Sequence, residues 1–319
     1  MKFKNIFWRI LTIAITFSSC DVITNPILPH QQNSTLPNAP PTYRDSSTSA
    51  YTYKLLLEDC MGDLCSNCPS AAAIADTLIS PTGGNPNYAQ VIMMEDQMGF
   101  DAIPTNSYSG APSYAFTTDY RSAAGNAWCI MFGINADGYP TGLINRLGSA
   151  KNITYLNWQD SVSKIIQRTT QSVVINIHDS CWVPQRIIGV EFQLTFLKPL
   201  SGNYSLETLI VENHIVSWQV DQYVNGGFDS TFVHSNVLRG AFGNNAGGLP
   251  WGTAIPNTTP GSTWTSYQTY DFNKGENGNA AGGTSANPTP WNMANCYIVA
   301  FVFNSQTYQV IQAEMIKVE

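Results

Sequence analysis

The tightest constraint on this chain is a pair of cysteines, Cys65-Ser66-Asn67-Cys68, set between an apolar run and a helical pattern. Tyr53 to Leu57 is short, apolar and suited to a buried strand. Glu58, Asp59, Cys60, Met61 and Gly62 then lead into the pair, and Pro69 follows it. In SAAAIADTLI, Ala71, Ile74, Ala75 and Leu78 share one helical face, and Pro69 suits a first helical turn. The pair therefore lies where a strand turns into a helix. A cysteine there meets unpaired backbone N–H groups and the positive helix end. Both stabilise thiolate, which activates Cys65.

Further elements follow in order. Gln90 to Met94 reads as a second strand, and Tyr120 to Phe132 as a helix. Gly138-Tyr139-Pro140-Thr141 precedes a strand at Gly142 to Arg146, with Lys151 to Thr154 pairing back. A helix from Trp158 to Thr169 takes Asn157 as its cap and turns Val162, Ile165 and Ile166 inward. From Ser172 the pattern changes. Val173 to Ile177 is strand-like, and Val190, Phe192, Leu194 and Phe196 alternate with polar residues at period two. Leu206 to Glu212, Cys296 to Phe303 and Tyr308 to Ile316 add strands, which predicts a β-sandwich over 171–319. Residues 240–292 hold ten of the 24 glycines, with Trp251, Trp264 and Trp291, and read as long loops.

The start of the chain is an address. Lys2, Lys4 and Arg9 precede a short apolar stretch, Ile10 to Phe17, then Ser18, Ser19 and Cys20. The stretch is shorter than the ~20 residues that cross a bilayer. It resembles a bacterial lipoprotein signal over 1–19, with Cys20 as the lipidated residue, so the implied partner is a membrane reached through a lipid anchor. Pro26, Pro29, Pro37, Pro40 and Pro41 mark residues 20–50 as a flexible tether. Removing the signal leaves 12 basic against 22 acidic residues, a net of −10. That argues against a nucleic-acid partner, which requires a basic patch to displace counterions.

The order of strand, CxxC, helix, strand, helix, X-Pro-Thr, strand, strand, helix resembles the thioredoxin fold. It implies a thioredoxin-like α/β domain over 51–170 followed by the all-β sandwich domain. In that resemblance Asp59, six residues before Cys65, is a buried proton-transfer acid, and Pro140 is a cis-proline facing the disulfide. Leu64 stands where the family carries tryptophan. More narrowly, LLLEDCMGDLCSNCP, YPTGLINR, FVHSNVLRG and VAFVFNSQTYQVIQAEMIKV resemble the Omp28-related lipoproteins of Bacteroidota, from about residue 53 onward. The resemblance implies an outer membrane lipoprotein on the periplasmic or surface face.

Two functional readings fit. In the first, Cys65 attacks and Cys68 resolves, exchanging thiols with disulfides of exported proteins, with Asp59 accepting the proton and Pro140 shaping the groove. In the second, the pair is a static disulfide in a retired scaffold, and the protein is a non-enzymatic envelope binding or structural protein. Cys181 and Cys296 are candidates for a structural bridge within the β region, and the pairing of Cys60, Cys129, Cys181 and Cys296 stays open. No second CxxC or HxxxH supplies the ligands zinc needs, so no metal or other cofactor is expected. GxSxG, P-loop and HExxH motifs are absent. His214 and His234 read as structural histidines, and Arg239 as a loop or junction anchor.

Overall fold

A computed structural model describes residues 52–148, 152–183, 186–243, 251–272 and 291–319. The expectations for Cys20, the signal segment, the tether and the loop residues 244–250 and 273–290 lie outside the described residues.

The first half runs β1 (Leu55–Met61), α1 (Cys68–Ile79), β2 (Val91–Gln97), α2 (Ala123–Phe132), α3 (Ile134–Asp137), β3 (Thr141–Ile144), β4 (Asn152–Ile153) and α4 (Trp158–Arg168). The second half is all strand: β5 (Val173–Trp182), β6 (Ile187–Phe196), β7 (Tyr204–Glu212), β8 (Ile215–Val220), β9 (Phe228–His234), β10 (Val237–Ala241), β11 (Thr253–Ala254), β12 (Thr263–Asp271), β13 (Cys296–Asn304) and β14 (Val310–Lys317).

These strands do not divide into an α/β unit and a β unit. One nine-stranded mixed sheet runs β14-β13-β7-β10-β2-β1-β3-β4, with β11 on β7. This corrects the expectation of a thioredoxin-like α/β domain followed by an all-β domain. Among the described residues strands hold 41% and helices 21%, and no thioredoxin-like α/β fold is evident. The physical reason is the free edge of β2. β10, from the second half, runs parallel to it through Val237 and Glu95, and the Glu95 N–H donates to Asn236 C=O at 3.0 Å. At the other end of the sheet, β14 returns to the first strand, where the Ala313 N–H donates to Lys54 C=O at 3.1 Å.

Three cores result. One face of the sheet, from β1 through β14, buries Leu56, Met94, Val211 and Phe301 against Trp128 and Phe132 of α2. The opposite face of β1, β2 and β3 buries Leu55, Leu57, Met93 and Ile144 under α1 and α4. Over β7, β13 and β14, the three-stranded sheet β12-β6-β5 closes a sandwich on Val173, Phe192, Leu206 and Ile298. β6 alternates buried and half-buried residues along its whole length, as period two requires.

Other local expectations change. Asn157 makes no side-chain cap on α4. β12 is a full strand inside the segment read as loop, pairing β6 from Thr263↔Thr195 to Asp271↔Ile187. Cys181 and Cys296 share the sandwich core, but both carry thiols, and the bridge expected between them is not formed. The bond Tyr139–Pro140 is cis.

Candidate functional site

β1 ends at Met61 and the chain turns at Gly62. Asp101 presses its backbone there, and a Cβ on Gly62 would lie 2.3 Å from the Asp101 carbonyl carbon. Only glycine permits that approach. Two further bonds fix the loop: Cys65 N–H to Gly62 C=O at 3.0 Å, and Leu64 N–H to Asp101 C=O at 2.9 Å. The helix then starts at Cys68 with Pro69 in its first turn. Cys65 and Cys68 are joined in a disulfide. It packs on Met61 and on the ring of Tyr139. Thr141 pairs with Cys60 at the end of the β1–β3 register, and Pro140 stands between Thr141 and the Tyr139 that packs on the disulfide.

Two residues before Met61, on the same face of β1, begins a buried acidic group. Asp59 and Glu95 are partners in the parallel β1–β2 register, so both side chains leave the same face. Each is about 2% exposed or less. Glu95 is fully engaged: Oε1 accepts from His234 Nδ1 at 2.8 Å and Gln97 Nε2 at 2.8 Å, and Oε2 from the Ser235 N–H at 3.2 Å. Asp59 has no such set, and its Oδ1 has no hydrogen-bond partner. Burial raises the Asp59 carboxyl well above the carboxylate range, and the charges of Glu95 and Asp76 raise it further. Asp63, on the loop before Cys65, is pushed up to about 8 by burial, against the pull of His234. Burial opposes charge on His234, yet Glu95, with smaller help from Asp63 and the Trp218 backbone, lifts the imidazole above its ordinary value. The arrangement thus holds one ion pair, His234 with Glu95, flanked by two carboxyls that favour their neutral form.

A hairpin covers this site. Among the described residues, β8 and β9 form a two-stranded sheet of their own. The Val220 N–H donates to Asp63 C=O at 2.8 Å, and the Gln222 N–H to Ser66 C=O at 3.2 Å. The buried Gln219 amide donates to Gly62 C=O at 3.2 Å and Cys65 C=O at 3.0 Å. The Gln222 side chain reaches Asn67. Leu64, Phe116, Trp218, Val220 and Phe228 seal the flank. Cys65 is left 4% exposed and Cys68 fully buried.

The structure therefore joins Cys65 to Cys68, packs them on Met61 and on Tyr139, the neighbour of Pro140, sets Asp59 two residues before Met61 on the same face of β1, and leaves Cys181 and Cys296 in the sandwich core. Sequence reading missed Glu95, Gln219, Gln222 and the pairing of His234. One signal was available: Glu95 and Asp96 continue an apolar run, Val91 to Met94, where buried acids demand partners. Arg239, read as an anchor, is a buried one. It lies 3.2 Å from Glu212 and stacks on Trp291 with its guanidinium carbon 4.7 Å from the ring centre.

The sequence profile described as "Outer membrane protein Omp28" matches residues 130–319. Among curated proteins, none matches. Among solved structures, HBP35 of Porphyromonas gingivalis superposes with a TM-score of 0.59 at 12% identity, covering 85% of this chain and 77% of that one. That likeness is one of fold. A domain of the outer membrane lipoprotein Omp28 from Porphyromonas gingivalis aligns at 17% identity over 47% of this chain and 89% of that one, with a TM-score of 0.29.

Proposed function

We infer the function from one premise: the chain belongs to the Omp28 family of outer membrane proteins. Its place is the outer membrane of the cell envelope. Attachment there is through lipid on Cys20, with residues 20–50 as the tether and 171–319 as the β portion of the folded body.

The activity we assign is thiol–disulfide exchange on exported proteins. One observation carries it: the disulfide at the start of α1 packs on Met61, and Asp59, on the same face of β1 two residues earlier, is a buried carboxyl whose proton is held by burial and by Glu95. A substrate thiolate attacks Cys65 Sγ, the Cys65–Cys68 bond breaks, and the Cys68 thiolate leaves and takes a proton from Asp59. A second substrate thiolate then attacks the mixed disulfide at the substrate sulfur. The substrate is oxidised, Cys65 leaves as thiolate, and the protein pair has gained two electrons. In the reverse direction Cys65 attacks a substrate disulfide and Asp59 takes the Cys68 proton back. Asp59 lies on the same face of β1 as Met61, which packs on the disulfide, and this supports the role.

The alternative is a static disulfide in an envelope binding or structural protein, and the cover over Cys65 favours it. Insulin reduction with dithiothreitol separates the two. The exchange reading expects the wild type to accelerate insulin precipitation and Cys65→Ser to lose that effect. Equal inactivity of both proteins removes the enzymatic reading for this substrate class.

A further inference from the structure

The segment His234-Ser235-Asn236, which joins the covering hairpin to β10, grips Glu95 at three points. His234 Nδ1 donates to Oε1 at 2.8 Å, the Ser235 N–H donates to Oε2 at 3.2 Å, and the Asn236 carbonyl accepts from the Glu95 N–H at 3.0 Å. Gln97 Nε2 adds a further donor to Oε1 at 2.8 Å. The grip fixes the Glu95 carboxylate, and the β1–β2 register fixes it beside Asp59. Asp59, Glu95 and His234 are each 2% exposed or less. With so little water to screen them, a charge on one is felt strongly by the next. The remaining charged neighbours come from several elements. Asp76 of α1 faces Asp59 and accepts from the Ser235 hydroxyl. Asp63, on the loop before Cys65, faces His234, with Asp119 and its partner Arg121 beyond. The Tyr120 ring lies 5.8 Å from the imidazole. Of the groups bonded to Glu95, only His234 can carry positive charge.

We propose that Glu95 and His234 are positioning residues for Asp59: the cationic imidazole holds back the field of the Glu95 carboxylate and so sets how readily Asp59 gives up its proton. The two members of one ion pair then act on Asp59 in opposite senses. Taking the charge from Glu95 relieves Asp59, which ionises more easily. Taking the charge from His234 leaves Asp59 facing Glu95 in full, and its proton is held more tightly. The role in turnover rests on the exchange reading above, in which Asp59 supplies the proton to the departing Cys68. The electrostatic assignment itself needs no turnover, because it concerns three buried side chains and not the chemistry at sulfur.

The test is a pH titration followed by carbon NMR of labelled Asp and Glu carboxyls, with the Asp59 signal assigned by its loss in Asp59→Asn. Three proteins are compared: wild type, Glu95→Gln and His234→Gln. Glutamine at 234 keeps a donor for Glu95 and removes only the charge. The Asp59 transition is expected to move down in Glu95→Gln and up in His234→Gln, each by ~1–3 pH units. A purely structural role moves both the same way, since a loosened site admits water and lowers the cost of burying charge. Shifts of one sign, or no shift, overturn the proposal. Where His234→Gln titrates above the range in which the fold survives, Glu95→Gln decides alone. If circular dichroism shows that both variants have lost the fold, the wild type decides: the Asp59 signal must respond at the pH where nitrogen NMR shows His234 losing its proton, and a signal blind to that step overturns the proposal. Insulin reduction tests the exchange reading separately. If that reading holds, the pH profile of the rate follows the same two opposed shifts. Opposed carboxyl shifts in a protein inactive on insulin support the electrostatic assignment and remove the exchange reading.

Discussion

Asp59 and Glu95 are register neighbours of the same charge type, yet only Glu95 has a cation. The consequence is a titration that works against the fold as pH rises. Asp63 carries a pKa of about 8 in the folded protein against 3.8 as its ordinary value. Between those values the unfolded chain has lost the proton and the folded chain still holds it, so stability falls as pH rises from about 4 to about 8. Asp59 and His234 are raised as well and add to the same direction. Thermal unfolding across that window is expected to show a falling Tm in the wild type. Asp63→Asn is expected to flatten the fall, removing on the order of 5 kcal/mol of pH-dependent stability at 1.36 kcal/mol per unit. An unchanged slope refutes the assignment of that buried proton to Asp63. Asp59 was legible from its place six residues before Cys65. His234 was not, because its partner stands 139 positions away and no local pattern announces an ion pair of that span.

At the level of elements, small residues decide where helices meet strands. α2 begins at Ser122, whose Oγ accepts from the Gly125 N–H at 2.9 Å. Ser122→Ala is expected to cost about 1 kcal/mol, read as a lower midpoint in urea unfolding with an unchanged m-value. Gly142 in β3 lies under α4, where an added Cβ would sit 2.5 Å from the Trp158 ring. Gly142→Ala forces the indole or the strand to move and is expected to destabilise by about 1–3 kcal/mol; no loss in a denaturant titration disproves the close packing. Elements with clean periodicity were readable in advance, such as β6 and the buried face of α1. β12 escaped because its strand formers are Thr, Tyr and Trp in TWTSYQTYD, flanked by glycine and asparagine, with no aliphatic alternation to mark it. The cap on α4 was misread because Asn157 closes a short 3-10 turn, Tyr155–Asn157, before the helix.

For the whole molecule, the decisive contacts join residues far apart in the chain. Arg146, after β3, forms a buried pair with Glu58 of β1 at 2.9 and 2.5 Å. Its guanidinium carbon also stacks 5.1 Å from the ring centre of Phe301 in β13. Removing one partner leaves a charge stranded, so Glu58→Gln is expected to cost about 3–5 kcal/mol, seen as a large fall in Tm. A fragment ending at residue 170 loses β10 from the edge of β2 and β14 from beside Lys54. It is expected to bind the dye ANS and show little amide protection; a protected, cooperatively melting fragment contradicts the shared-sheet account. This is also why fold class was the least legible property. Helices, strands and the CxxC are local, whereas a parallel contact between Glu95 and Val237 leaves no local trace. The return of β14 to Lys54 has a consequence for biosynthesis. The ion pair Lys54–Glu314 spans 260 positions, so the first strand waits for nearly the last before its surroundings are complete. Until then the thiols of Cys60, Cys65 and Cys68 are open to wrong partners. Folding is therefore expected to be slow and dominated by long-range closure, and a chain stalled on export is most vulnerable to oxidation in that interval.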